Sequence, residues 1–262
     1  MPTTQRMPVL FVGHGSPMNA IEDNPWSRGF AALRELVPRP TAVLAISAHW
    51  FVDGTWLTAE PHPQTIHDFG GFPRALFEVE YPAPGRAALA TRVRDLLRER
   101  GADLRTDWGL DHGTWSVLCR MYPDADVPVV QLSLDRRLSP RAHLELARDL
   151  AALRDEGVLV LGSGNVTHNL RDAFRRMQTG DHETPDWARR FDGELTRALE
   201  QHDDAAIVAM SATDDGRLAH PTPDHWLPLI YALGATDERD AVSYPIEGFD
   251  IGSLSMRAVR WG

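Results

Sequence analysis

Four short runs of this chain are apolar almost without a break: PVLFV (8–12), TAVLAIS (41–47), VPVVQLSL (127–134) and GVLVLGS (157–163). Each is rich in β-branched residues. A strand with one wet face alternates apolar and polar residues, whereas a strand covered on both faces does not. The four runs therefore predict interior strands of a sheet with helices on either side. Amphipathic segments lie between them. Leu89, Val93, Leu96 and Leu97 share one helical face, and Gly101 stops it. Ser139-Pro140 opens a second helix with Leu144, Ala147, Leu150 and Ala151 inward and Gly157 as its end. Thr184-Pro185 opens a third, with Trp187, Phe191, Leu195 and Leu199 inward. Strands alternating with helices predict an α/β fold: three αβα layers around a central mixed, largely parallel sheet. SLSMRAVRW (253–261) alternates and reads as a strand at the sheet edge.

The chain has 262 residues, no internal repeat and no obvious linker, which suits a single catalytic domain spanning 1–262. Its net charge of −10 repels phosphate backbones and argues against nucleic acid as a partner. No stretch approaches the roughly 20 apolar residues of a membrane span. The N-terminus lacks the apolar centre of a signal peptide. Cys119 is the only cysteine, so no internal disulfide and no thiolate metal site can form, and the cytoplasm is the expected location. A monomer or small homo-oligomer is expected.

Histidine is the unusual residue, with eleven copies. In open α/β sheets, ligands bind beyond the carboxyl ends of the strands. His14, His49 and His168 follow three of the four apolar runs. His225 lies in the proline-punctuated HPTPDHWLPL (220–229), and His112 in WGLDHGTW (108–115). One histidine at a strand end is ordinarily just a satisfied polar residue. Three at equivalent ends can converge, and imidazole is the commonest metal ligand. A shared metal site at the carboxyl ends of the strands is therefore expected. His62, His67, His143, His182 and His202 read as surface residues. GSGN (162–165) lacks the third glycine of a dinucleotide loop and the lysine of a P-loop, and no GxSxG elbow occurs. A zinc-dependent hydrolase that activates water on the same histidines is compatible with these residues.

Several motifs together resemble the DOPA 4,5-dioxygenase-type extradiol ring-opening dioxygenases, related to the protocatechuate 4,5-dioxygenase catalytic subunit. They are FVGHGSPMNAI (11–21), ISAHWF (46–51), TIHDFGGFP (65–73), YPAPG (81–85), LDHGTWSVL (110–118), MYPDADVPVVQLSL (121–134), LGSGNVTHNL (161–170) and HPTPDHWLPL (220–229). They run in family order over nearly the whole chain. The resemblance implies cleavage of a small DOPA-like catechol with O2 at one divalent metal per chain, Fe(II) for activity or Zn(II) as a bound species. It implies His14, His49 and His225 as metal ligands, and His168 as a further ligand or the general base. It places His112 beside the substrate as an acid/base or hydrogen-bonding group. Trp50, Phe69 and Phe72 adjoin these motifs and are expected to wall an apolar pocket for the ring. Gly70 departs from the family pattern, where an aromatic residue is expected, and bears on substrate preference. A carboxylate ligand is sought at Asp224, Asp111 or Glu247, because two histidines and one carboxylate are the usual Fe(II) set.

Overall fold

In the computed structural model, which describes residues 6–181 and 183–262, the four apolar runs are the four central strands. The strands are β1 (Val9–Gly13), β2 (Ala42–Val52), β3 (Trp56–Thr58), β4 (Asp103–Arg105), β5 (Val129–Asp135), β6 (Val158–Gly164), β7 (Val242–Ile246), β8 (Phe249–Asp250), β9 (Leu254–Ser255) and β10 (Ala258–Trp261). Eight of them form one sheet in the order β4-β3-β5-β2-β6-β1-β10-β7, while β8 and β9 pair separately. The stretch β5-β2-β6-β1 is parallel throughout. The antiparallel contacts lie outside it, at β3–β5, β1–β10 and β10–β7. The helices are α1 (Pro25–Leu33), α2 (Arg74–Phe77), α3 (Ala87–Leu96), α4 (His112–Met121), α5 (Pro140–Arg148), α6 (Leu170–Thr179), α7 (Asp186–Glu200), α8 (Asp204–Met210), α9 (Asp214–Ala219) and α10 (Leu227–Gly234).

Alternation along the central strands explains why both faces are apolar. Val9 and Phe11 of β1, Leu44 and Ile46 of β2, and Val158 and Val160 of β6 pack with α3, α5, α7, α8 and α10. Their neighbours Leu10 and Val12, Val43 and Ala45, and Leu159 and Leu161 pack with α1, α2 and α4 on the opposite side. The helix ends follow the sequence signals. Ser139 caps α5 by accepting from the Ala142 N–H, with Pro140 in the first turn. Gly101 and Gly157 close their segments in the left-handed conformation, at φ 75° and 77°. Helix α7 starts at Asp186, just after Thr184-Pro185.

Three expectations need correction. The C-terminal segment is not an edge strand: β10 lies between β1 and β7, and Leu254–Ser255 pairs with β8 instead. Strand β2 does not end at Ser47 but runs to Val52, past a break in its register with β5 between Ile46 and Phe51, so His49 lies inside it. His143 is fully buried rather than exposed. The polar look of α5 belongs to its outer side. Its inner side meets the apolar α10, where His143 Nδ1 lies 3.1 Å from the Tyr231 hydroxyl. His67 is half-buried, with Nε2 donating to the Val79 carbonyl at 3.0 Å. His62 and His202 are exposed as expected, and His182 lies outside the described residues. Among the described residues, no helix is long and apolar enough to cross a membrane.

The burial of His143 has a measurable consequence. Desolvation, opposed more weakly by Asp135, pushes its pKa from 6.5 down to about 4. A proton then binds the unfolded chain better than the folded one between those two values. Stability is therefore unaffected by this group above pH 6.5 and is lost progressively as the pH falls to about 4. The full window corresponds to about 3 kcal/mol. Replacing His143→Leu should flatten the stability–pH curve across this window in urea titrations. An unchanged slope would show that another group carries it.

Candidate metal centre

The parallel strands deliver His14 and His49 to one rim of the sheet, and the loop before α10 brings His225 to them. His14 follows β1 directly, with its N–H bonded to the Gly164 carbonyl at 2.9 Å. His49 projects from the far half of β2. His225 precedes α10, and its carbonyl accepts from the Asn165 N–H at 3.1 Å. The close approach of this loop requires glycine at 164, where a Cβ would stand 2.3 Å from the His225 carbonyl oxygen. His112 is the first residue of α4, which Asp111 caps by accepting from the Thr114 N–H.

Hydrogen bonds fix the ring protons. Ser163 donates its hydroxyl to the Gly113 carbonyl at 2.5 Å, so toward His14 Nδ1, 3.0 Å away, it can only accept. The Asp68 carboxylate accepts from His49 Nδ1 at 3.2 Å and from His112 Nδ1 at 2.9 Å. The Asp224 carboxylate accepts from His225 Nδ1 at 2.5 Å. Each neutral ring therefore carries its hydrogen on Nδ1 and a lone pair on Nε2. The Nε2 atoms of His14 and His49 face each other at 3.2 Å, and His225 Nε2 is buried with no hydrogen-bond partner among the described residues.

These distances test whether one cation fits. Two imidazole nitrogens bound at 2.0–2.1 Å to a tetrahedral ion stand about 3.3 Å apart, and their ring centres about 5.2 Å apart. The ring centres of His14, His49 and His225 are separated by 5.1, 5.2 and 5.0 Å. The centre spacings of these three rings match those of ligands around one ion. Among the described residues, the ring nitrogens that lie within 4.8 Å of one another are those of His14, His49 and His112, without His225. However, the His112 ring centre is 3.9 Å from that of His49, too close for a second ligand of the same ion. His168 stacks face to face on His225, with centres 3.4 Å apart and planes within 5°. A cation in the plane of one of these rings lies well out of the plane of the other, so the two cannot both bind it along their lone pairs.

Burial governs the charges. His14 and His225 are held well below the ordinary imidazole pKa, first by desolvation and then by neighbouring imidazoles. His112 is lowered in the same way, and His168 falls to about 4. For His49, burial pulls down, but the Asp68 hydrogen bond and the charges on Asp111, Asp68 and Asp224 outweigh it and raise the pKa.

Residues 8–250 match the family described as the catalytic LigB subunit of aromatic ring-opening dioxygenase. The chain belongs to this family. As a member of the ring-opening dioxygenases, it is 48% identical to a protein named 4,5-DOPA dioxygenase extradiol from Escherichia coli (strain K12), over 99% of this chain and 96% of that one. It is 39% identical to the protein of that name from Beta vulgaris, over 97% and 96%. A crystal structure of an uncharacterized Escherichia coli K12 protein superposes with a TM-score of 0.85 at 44% identity, covering 98% of this chain and all of that one. None of these similarities supports the hydrolase reading.

In this ring-opening dioxygenase, the pocket-wall expectations divide. Phe69 packs edge-on against His112, with centres 5.4 Å apart, and Phe72 packs edge-on against Phe69 at the same distance. Trp50 is buried and stacks on Trp108 at 5.5 Å instead of on the imidazoles. Neighbours on a strand project to opposite faces, and Trp50 turns away where His49 turns in. A side chain added at Gly70 would meet nothing within 4 Å, so the glycine leaves open space beside Phe69. None of the three acidic candidates stands as a ligand. Asp224 backs His225, Asp111 is buried against Gln131 and Thr114, and Glu247 pairs with Arg257 at 3.0 Å. Sequence reasoning missed Asp68, Ser163 and Gly113. Asp68 had one signal, a carboxylate beside His67 in the glycine- and phenylalanine-rich loop TIHDFGGFP (65–73).

Gly113 marks how tight the centre is. A Cβ there would stand 2.5 Å from Ser47 Oγ, 2.9 Å from His49 Cδ2 and 3.3 Å from His14 Cε1. Gly113→Ala should therefore lower Zn(II) affinity at least about tenfold by displacing ligand rings, while the circular dichroism spectrum stays unchanged. Calorimetric titration of the apoprotein checks this.

Proposed function

We propose that the protein is an extradiol dioxygenase that opens the ring of a small, DOPA-like catechol with O2. His14, His49 and His225 would hold one Fe(II). The observation that carries this reading is the set of three Nε2 lone pairs with ring centres 5.0–5.2 Å apart, each ring having its other nitrogen committed to a partner. Such an ion supplies an electrophilic attachment point for the catechol oxygens and for O2. Zn(II) suits the same neutral donors, and we expect it as a bound but unproductive species. The relatives named for 4,5-DOPA support the substrate class.

The chain's own residues handle protons and position. His168 is neutral at pH 7 and stands against His225, so it can accept a catechol hydroxyl proton as general base. His112 keeps its Nδ1 hydrogen on Asp68 and presents Nε2 as a second acceptor or, once protonated, a donor. Phe69, with Phe72 behind it, lays an apolar wall beside His112 that suits an aromatic ring and excludes water. A single domain over 1–262 and a cytoplasmic setting complete the reading.

Apoprotein prepared without oxygen should consume O2 with a catechol panel after Fe(II) addition and form a yellow ring-opened product, but remain inactive with Zn(II). Zinc-dependent hydrolysis without oxygen uptake would reverse the assignment. His14→Ala, His49→Ala and His225→Ala should lose both metal and turnover. His168→Ala should retain metal and lose about 10²–10⁴ in rate, measured by metal analysis alongside an oxygen electrode.

A further inference from the structure

We propose that Asp68 is a positioning residue that sets the tautomers of two imidazoles at once, turning the Nε2 lone pairs of His49 and His112 toward the centre. This rests on the metal reading above. Its Oδ2 faces His49 Nδ1 at 3.2 Å. Its Oδ1 receives two N–H groups, the His112 backbone N–H at 3.0 Å and the His112 Nδ1 at 2.9 Å. A carboxylate only accepts, so both rings must donate from Nδ1. The Asp68 side chain is only 18% exposed, which keeps water from competing for these bonds. No other described side chain hydrogen-bonds either Nδ1.

The two oxygens are not equivalent, and that makes a sharp test. In Asp68→Asn the backbone N–H of His112 cannot change, so the amide oxygen must stay at the Oδ1 position. The amide NH2 then faces His49 Nδ1, which has to accept. The His49 hydrogen moves to Nε2 and points at His14 Nε2, 3.2 Å away, into the space a cation would fill. Asp68→Ala instead opens a gap for water, which donates or accepts, so His49 can keep its lone pair on Nε2. The isosteric substitution should be the more damaging one, the reverse of what a purely structural, space-filling role would give.

The test is Zn(II) affinity of the apoprotein by competition with a chromogenic chelator, together with the visible spectrum of the Co(II)-loaded protein. Affinity should fall about 100-fold for Asp68→Asn and about tenfold for Asp68→Ala. The Co(II) band should move in the Asn variant, where one imidazole has left, and hold its position in the Ala variant. An Asn variant within twofold of wild type, or an Ala variant weaker than the Asn variant, would overturn the proposal while leaving the metal reading intact. Wild-type protein that takes up no Zn(II) would overturn the metal reading itself.

Discussion

Lone pairs aimed at one another repel, and this centre holds two of them 3.2 Å apart, with the His225 ring centred 5.2 and 5.0 Å from the two rings that carry them. A small protein region relieves such repulsion easily by flipping a ring or moving a proton. Here every escape is blocked. His14 cannot move its hydrogen because Ser163 has already given its own to Gly113. His49 and His225 are each held by a carboxylate on Nδ1. The arrangement therefore favours positive charge among the three rings, with the carboxylates of Asp68 and Asp224 standing behind them.

The fold makes that concentration of imidazoles possible by removing everything smaller than a ring from the space between them. Gly113 and Gly164 sit where a methyl group would strike His49 or the His225 loop. The parallel strands β1 and β6 run in register and end together, so His14 and the Ser163 that holds it arrive at the same level. Their burial holds the pKa values of His14, His225, His112 and His168 below the ordinary imidazole value, which favours their neutral forms.

The sheet and most of the centre were legible in the sequence, because they depend on local pattern. Continuous apolar runs announced β1, β2, β5 and β6, and histidines placed just beyond them announced the rim. What escaped depends on partners distant in the chain. His143 looks like a surface residue until α10 covers it. Trp50 adjoins His49 in sequence yet faces Trp108 across the strand. Asp68 and Ser163 carry no metal-binding signature, since each acts through a ring 19 to 149 positions away that only the folded chain brings near. The place of β10 inside the sheet was hidden for the same reason: β7 covers its outer side, and nothing within SLSMRAVRW records that.

The position of the carboxylates also explains why the search for an acidic ligand found none. Negative charge at this centre lies behind the imidazoles, from Asp68 on His49 and His112 and from Asp224 on His225. A carboxylate hydrogen-bonded to a ligand ring makes that ring a stronger donor without occupying a coordination position. If three neutral imidazoles hold a divalent ion as proposed, they would leave its whole double charge to face the pocket. The same neutral nitrogen set discriminates poorly between Fe(II) and Zn(II). Under the proposed reading, selectivity for chemistry over mere binding would come from which ion is available and from the neighbouring His168, His112 and Phe69.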